Sequence, residues 1–337
     1  MSVLLTGGAG FIGSHTCVQF LRSGLEVVVL DNLSNSKEES LIRVQEICGK
    51  KLTFHKADLR DTNAIIEIFE KHDIDAVIHF AGLKAVGQSS KVPLSYYDNN
   101  VGGTVKLLEV MEKFGVKNIV FSSSATVYGD KNECPYSEDM NIDISRVTNP
   151  YAVTKVVIER MLEDLQISDD EWKISILRYF NPIGADESAL IGEDPNGIPN
   201  NLLPYLSQVS VGKLEMLSIF GSDYETCDGT CIRDYIHISD LARGHLLAYE
   251  NLKCGLNIYN LGTGKGTSVL QMVKAFQKAS GIEIPFKFVG RRSGDLPFSF
   301  ANVDKAKREL NFQTEYDIYK MCVDSYNWQK KNPNGLS

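Results

Sequence analysis

Up to about residue 180, short β-branched runs alternate with longer stretches of helical pattern. The short runs, at residues 3–6, 26–31, 52–56, 76–80, 118–122 and 173–179, predict six strands. The segments between them, such as 11–23, 62–72, 94–113 and 151–165, are long enough to be crossover helices. Strands that alternate with helices predict an α/β fold with a doubly wound parallel sheet, whose ligands sit at the carboxyl ends of the strands.

After Asn181 the texture changes. Gly184, Gly192, Pro195, Gly197 and Pro199 mark a loop-rich stretch, followed by shorter mixed elements. Helices are predicted at 239–251, at 268–280 with Gly281 as the stop, and at 315–331. The expected division is a first domain over residues 1–180 and a smaller mixed α/β C-terminal lobe over 181–337, with some segments of the second returning to the first. No internal repeat or low-complexity tract is evident.

Composition narrows the class. The 337 residues are 43% apolar and 23% charged, which excludes a disordered chain, a collagen-like repeat and a disulfide scaffold. A net charge of -8 argues against broad attraction to nucleic acid or to an anionic membrane, so any phosphate must be gripped locally. The seven cysteines are scattered, and Cys227 and Cys231 lack a second pair at metal-binding spacing, so no metal is assigned. The start, MSVLLTGGAGFIG, has no basic leader, and no run of about 18 apolar residues occurs. A cytoplasmic protein is expected.

The first strand runs into Thr6-Gly7-Gly8-Ala9-Gly10-Phe11-Ile12-Gly13, a G-x-x-G-x-x-G run that opens a helix. A tight turn and close approach of backbone to a pyrophosphate both need residues without a Cβ, and the helix N-terminus offers free N–H groups. A structural strand-to-helix turn would use the same glycines, but the second strand also ends in Asp31, 18 residues past Gly13. Together they predict dinucleotide binding. A carboxylate at Asp31 suits a ribose 2′-hydroxyl and repels a 2′-phosphate, and residues 31–36 contain no Arg, so NAD is expected rather than NADP. Asp58, just past the third strand, is a candidate for the adenine amino group, with a solvated loop carboxylate as the alternative.

Residues 148–155 read as a helix start, with Asn149 as N-cap and Pro150 at N1. Tyr151 and Lys155 then share a face, and an ammonium beside a phenol favours phenolate, which makes Tyr151 a candidate general base of lowered pKa. Tyr316 and Lys320 repeat the spacing, so spacing alone decides nothing. Placement separates the two pairs: Tyr151 follows the fifth strand and its terminus Ser122-Ser123-Ser124, where a nicotinamide is expected. Ser124 could share a substrate oxygen with Tyr151.

These segments resemble the extended short-chain dehydrogenase/reductases, and within them the branch that epimerises UDP-sugars at C4. The resemblance covers essentially the whole chain: TGGAGFIG at 6–13, DNLSNS at 31–36, HFAGLKAVGQS at 79–89, SSSATVYG at 122–129, NPYAVTK at 149–155, RYFNPIGA at 178–185, GIPNNLLPY at 197–205, RDYIHISDLA at 233–242, YNLGTG at 259–264 and RRSGDLP at 291–297. It implies a Rossmann-type first domain that holds NAD tightly and a second lobe that holds the UDP-sugar.

By the same resemblance Gly7, Gly10, Phe11, Ile12, Gly13, Asp31, Asn32, Asn35, Ser36, Asp58, Leu59, Phe80, Ala81, Gly82, Lys84, Asn99, Ser122, Tyr151, Lys155 and Phe180 would surround NAD. Ser124 and Tyr151 would contact the sugar, with Lys155 completing the catalytic set. Asn181, Asn201 and Leu202 would line the sugar and phosphate region, Phe220 would flank uracil, Arg233 and Arg292 would clamp the diphosphate, and Asp295 would bond the uridine ribose. Arg forks suit phosphate oxygens; the alternative is surface pairing of Arg233 with Asp234 and of Arg292 with Asp295. The implied chemistry is inversion of C4 through a transient 4-keto sugar, serving galactose metabolism or glycan precursor supply. A homodimer is implied as well, built on 94–113 and 151–165.

One position departs from the pattern. Ser299 stands where bacterial members restricted to glucose and galactose carry a Tyr facing the sugar, so the resemblance implies room for a 2′-N-acetyl group, unless Phe298 or Phe300 refills it. Related chemistries fit less well. A 4,6-dehydratase needs an acidic pair beside the active-site hydroxyl, whereas Ser124 is followed by Ala125 and Thr126. A net reductase would exchange cofactor at every turnover, and an NAD-sensing regulator has no need of Tyr151, Lys155 and Ser124 together.

Overall fold

A computed structural model describes residues 1–130, 132–292 and 294–336. Its main sheet has seven strands, β1 (Ser2–Thr6), β2 (Glu26–Asp31), β3 (Thr53–Lys56), β4 (Ile74–His79), β5 (Asn118–Ser124), β6 (Lys173–Tyr179) and β10 (Gly255–Leu261). All neighbours pair parallel in the order β10-β6-β5-β4-β1-β2-β3. The order reverses between β1 and β4, and the crevice of a doubly wound sheet opens at such a reversal.

Successive side chains explain why the sheet is covered on both faces. Val3, Leu5, Val27, Val29, Ala76 and Ile78 face one core, against α1 (Phe11–Arg22), α2 (Glu39–Cys48) and α9 (Ile238–Glu250). Leu4, Val28, Leu30 and Val77 face the other, against α3 (Thr62–Lys71), α6 (Gly103–Lys113) and α7 (Pro150–Ser168). Both sets are fully apolar because parallel strands are buried on both sides.

Strand ends agree with the pattern to within two residues, and α2 is a helix that the pattern did not single out. The helix expected over 94–113 is three segments in one run: α5 (Pro93–Tyr96), a π-helical turn (Tyr97–Gly102) and α6. The helix expected from 315 begins at Ile318, capped by Asp317, so Tyr316 lies outside it. α9 and β10, placed by texture in the second lobe, lie on the main sheet, α9 against α1 and β10 beside β6.

The remaining chain builds smaller sheets. β9 (Ile232–His237) pairs with β7 (Asn181–Ile183), β11 (Gly266–Ser268) and β13 (Phe298–Ser299), and β8 (Leu217–Phe220) pairs with β12 (Phe286–Val289). A separate core beneath them holds Leu203, Leu206, Met272, Phe276 and Met321 from α8 (Leu202–Ser210), α10 (Val269–Ser280) and α12 (Ile318–Lys331). Among the described residues no helix is long and apolar enough to cross a membrane.

Three buried histidines make stability depend on pH. His79 bonds Thr6 Oγ1 at 2.7 Å and Thr104 Oγ1 at 2.9 Å, while His15 and His245 use Nδ1 on backbone oxygens of their own helices. Burial pushes His79 down to about 3 and His15 and His245 down to about 4. Between those values and about 6.5 the unfolded chain binds more protons than the fold, so stability falls as pH falls, by about 1.4 kcal/mol per unit for each neutral histidine. Urea midpoints should drop steeply from pH 7 to pH 5; a flat profile would contradict the neutral assignment.

Candidate active site

The glycine loop forms the floor of a cleft of about 1740 Å³ at the carboxyl edge of the sheet. Gly7 has a φ of 73°, and a Cβ there would lie 2.8 Å from the Ala81 nitrogen. At Gly13 a Cβ would lie 2.4 Å from the Gly7 oxygen, so this glycine lets α1 sit tightly on the loop. α1 has no side-chain cap, which leaves its first N–H groups for a ligand.

Asp31 organises the loop beside it. Ala9 N donates to Oδ2 at 3.0 Å, and Leu33 N and Ser36 Oγ donate to Oδ1 at 2.9 and 2.8 Å. Of about four acceptor positions on a carboxylate, one remains for a ribose hydroxyl. Asp58 differs: the Arg60 backbone and guanidinium and the Asn32 amide occupy all of its positions, at 2.9–3.0 Å, and hold its carboxyl well below the usual range. In this arrangement Asp58 clamps a loop and has no acceptor left for adenine.

Every residue that the resemblance assigns to NAD lines this one cleft. Gly82 to Lys84, after β4, are held in place by Asn100 of the π-helical turn. Its side-chain amide donates to Leu83 O at 3.0 Å and to Thr154 Oγ1 at 3.1 Å, and its oxygen accepts from Leu83 N at 2.8 Å. The π-turn thus fastens this loop to α7, and such turns are frequent at functional sites. The backbone cradle at Gly7 and Gly13, the open helix N-terminus and the remaining Asp31 acceptor together fit a dinucleotide.

On the opposite side of β1, α7 and the end of β5 bring Tyr151, Lys155 and Ser124 together. The Asn149 side chain accepts from Ala152 N at 2.9 Å, so α7 starts where the capping pattern predicts. Lys155 Nζ donates to Ser122 O at 2.5 Å and lies 4.7 Å above the Phe121 ring and 5.9 Å from the Tyr151 ring centre. Burial lowers Lys155 to about 8, with Glu159 opposing, so it is mostly charged at neutral pH.

The lowered phenol pKa expected at Tyr151 is not found. Burial pushes it up to about 12, and the Ser124 hydrogen bond only partly offsets this. The phenol is therefore neutral without ligands, because loss of solvation outweighs a lysine whose hydrogen bond goes to a carbonyl. Ser124 Oγ also accepts from Thr126 Oγ1 at 3.0 Å, a contact the sequence reading missed. The control pair behaves differently: Tyr316 packs on His237 and Lys320 pairs with Asp324 at 2.7 Å.

Asn181, Asn201, Arg233, Arg292, Asp295 and Ser299 line the far wall of the cleft, while Leu202 and Phe220 do not. Phe220 is tied to that wall through Arg292, whose guanidinium lies 4.5 Å from its ring. Arg233 pairs with Asp295 at 3.4 Å, and Asp234 instead accepts from Thr263, Gly264 and Ala301. The alternative reading, surface pairing of Arg233 with Asp234, is not what the described residues show: Asp234 on β9 is fully buried and its carboxylate is taken up by Thr263, Gly264 and Ala301.

A strap after β7 crosses the cleft, also missed from sequence because its acidic residues follow no spacing rule. Glu193 Oε1 accepts from Asn201 Nδ2 at 3.0 Å and pairs with Lys84 at 3.5 Å, and Asp194 pairs with Lys37 at 2.9 Å. It joins the cofactor side of the cleft to the far wall.

Comparison with known proteins agrees with this geometry. Residues 3–262 match the model of the NAD dependent epimerase/dehydratase family. The chain is 58% identical to the UDP-glucose 4-epimerase of Bacillus subtilis (strain 168) over 337 residues, 99% of this chain and 98% of that one. It superimposes with a TM-score of 0.96 on UDP-glucose 4-epimerase from Bifidobacterium longum in complex with NAD+ and UDP, at 48% identity over 99% of this chain and 100% of that one. The UDP-Glc/GlcNAc 4-epimerase of Campylobacter jejuni is also similar, with a TM-score of 0.85 and 35% identity over 98% and 99% of the two chains. The chain belongs to the NAD dependent epimerase/dehydratase family, in its UDP-glucose 4-epimerase branch, with NAD as its cofactor.

Proposed function

We propose that the protein interconverts UDP-glucose and UDP-galactose by inverting C4 through a transient 4-keto sugar. The observation that carries this is the convergence of Tyr151, Lys155 and Ser124 beside the dinucleotide cradle, facing Arg233, Arg292 and Asp295 across one cleft. When bound, NAD supplies the hydride acceptor and donor, taking the C4 hydride and returning it. Tyr151 takes the proton of the 4-hydroxyl and later gives it back, and Ser124 shares that oxygen. Lys155 holds positive charge near the phenol, which favours its ionisation once substrate is in place. Arg233 and Arg292 grip the diphosphate while the sugar turns, so hydride returns to the opposite face and no net oxidation occurs. UDP-galactose appearing from UDP-glucose on incubation with the purified protein is the expected result; no epimer, even with NAD added, would refute the assignment.

Ser299 supports a wider substrate range. Ser299, at the end of β13, lines the cleft while Phe298, whose side chain alternates to the other face, and Phe300, just past the strand, lie outside its lining, so neither ring refills the space. UDP-N-acetylglucosamine and UDP-N-acetylgalactosamine would then be substrates too. Ser299→Tyr should lower turnover of the N-acetyl sugars about tenfold or more while sparing the plain ones; equal loss of both would contradict the steric account.

A further inference from the structure

Three consecutive serines end β5, and each is tied to a different turn of α7. Ser124 lies beside the Tyr151 phenol, the Ser122 carbonyl accepts from Lys155, and the Ser123 hydroxyl donates to Glu159 Oε1 at 2.5 Å. Residues 151, 155 and 159 share one face of the helix. Glu159 also receives Arg178 from β6, with Nε to Oε1 at 3.1 Å and Nη2 to Oε2 at 2.6 Å. The pair is buried, at 10% and 3% side-chain exposure, and Arg178 is the register partner of Ser123. Its guanidinium stacks 5.0 Å from the Tyr128 ring.

A buried ion pair is often matched or exceeded in stability by apolar residues of the same volume, so stability alone does not explain one beside the catalytic helix. We propose that Glu159 and Arg178 are positioning residues for the reaction: together they lock the end of β5 onto α7, and the Glu159 carboxylate places negative charge one turn from the Lys155 ammonium. This rests on the roles given above to Tyr151, Lys155 and Ser124. Among the described residues the titratable groups that face that ammonium are Tyr151 and Glu159 on α7 and His79 on β4; Tyr179 on β6 and Tyr96 on α5 face Tyr151, and Arg178 on β6 faces Glu159. His79 and the three tyrosines are held neutral by burial. Charge near Lys155 therefore comes from the Glu159–Arg178 pair.

The test uses the full chain, with Glu159→Gln and the double variant Glu159→Gln/Arg178→Gln. Lys155 titration is followed in protein carrying [13Cε]-lysine, its resonance assigned with Lys155→Met, and UDP-glucose kinetics are measured alongside. In Glu159→Gln the Lys155 midpoint should fall by about one pH unit or more, and kcat should fall about 10- to 100-fold with KM within about threefold. The double variant, which leaves no unpaired charge, should recover thermal stability but not kcat, and it decides the matter if the single variant does not fold. An unchanged Lys155 midpoint in folded Glu159→Gln, or full kcat in the double variant, would overturn the proposal. Absence of UDP-glucose turnover in the unmodified protein would instead refute the proposed function, and the Lys155 titration would still decide the role of the pair.

Discussion

Tyr151→Phe should lower UDP-glucose turnover about a thousandfold while leaving KM within a few-fold. The ring is kept, so packing against Ser124 and the α7 face is retained, and only the oxygen proposed to exchange a proton with the sugar is lost. The size of the effect follows from the absence of a substitute at that position. Lys155 Nζ is committed to the Ser122 carbonyl, and among the described residues the side-chain partner of the Ser124 hydroxyl is the Thr126 hydroxyl, which is no base. Burial holds the phenol up to about 12, so on the proposed mechanism its ionisation waits for positive charge brought into the cleft. Steady-state kinetics check this; turnover within tenfold of the unmodified protein would move the base elsewhere.

Gly13→Ala should destabilise the protein by about 1–3 kcal/mol and strip it of NAD. Helix propensity predicts the opposite sign, since Ala in a helix is favoured over Gly by about 1 kcal/mol. The local gain loses because the new Cβ would fall 2.4 Å from the Gly7 oxygen and 2.7 Å from the Gly8 Cα, both backbone atoms that cannot swing aside. α1 would have to lift from the loop, which opens the cradle and retracts the free N–H groups. A melting curve and the ratio of bound NAD to protein measure the two effects; a more stable, NAD-loaded variant would show that the helix has room to shift.

The six strands, the glycine turn and the α7 start were legible in the sequence because each rests on local rules: buried parallel strands read as apolar runs, and Asn149-Pro150 marks a helix start wherever it folds. What escaped depends on contacts distant in sequence. Segments returning to the first domain were expected, but not which ones: α9 and β10 return because Leu241, Ala248, Tyr259 and Leu261 complete the core of the main sheet. The π-turn at Tyr97–Gly102 was hidden because Asn100 is drawn out of α-helical register toward Leu83 and Thr154. Glu193 and Glu159 escaped because a lone acidic residue says nothing until its partners, Asn201 and Arg178, are placed beside it. The Tyr151 pKa was misread for a related reason: spacing shows the lysine, but only the fold shows the burial that outweighs it.

The most direct test of the central claim is a proton NMR time course of UDP-glucose deuterated at C4, incubated with the protein as purified and no added NAD. The account predicts that UDP-galactose accumulates with its deuterium still on C4, because the hydride removed is the one returned. Replacement of that deuterium by solvent hydrogen would mean exchange with water during inversion, and would contradict the internal redox cycle assigned to this cleft.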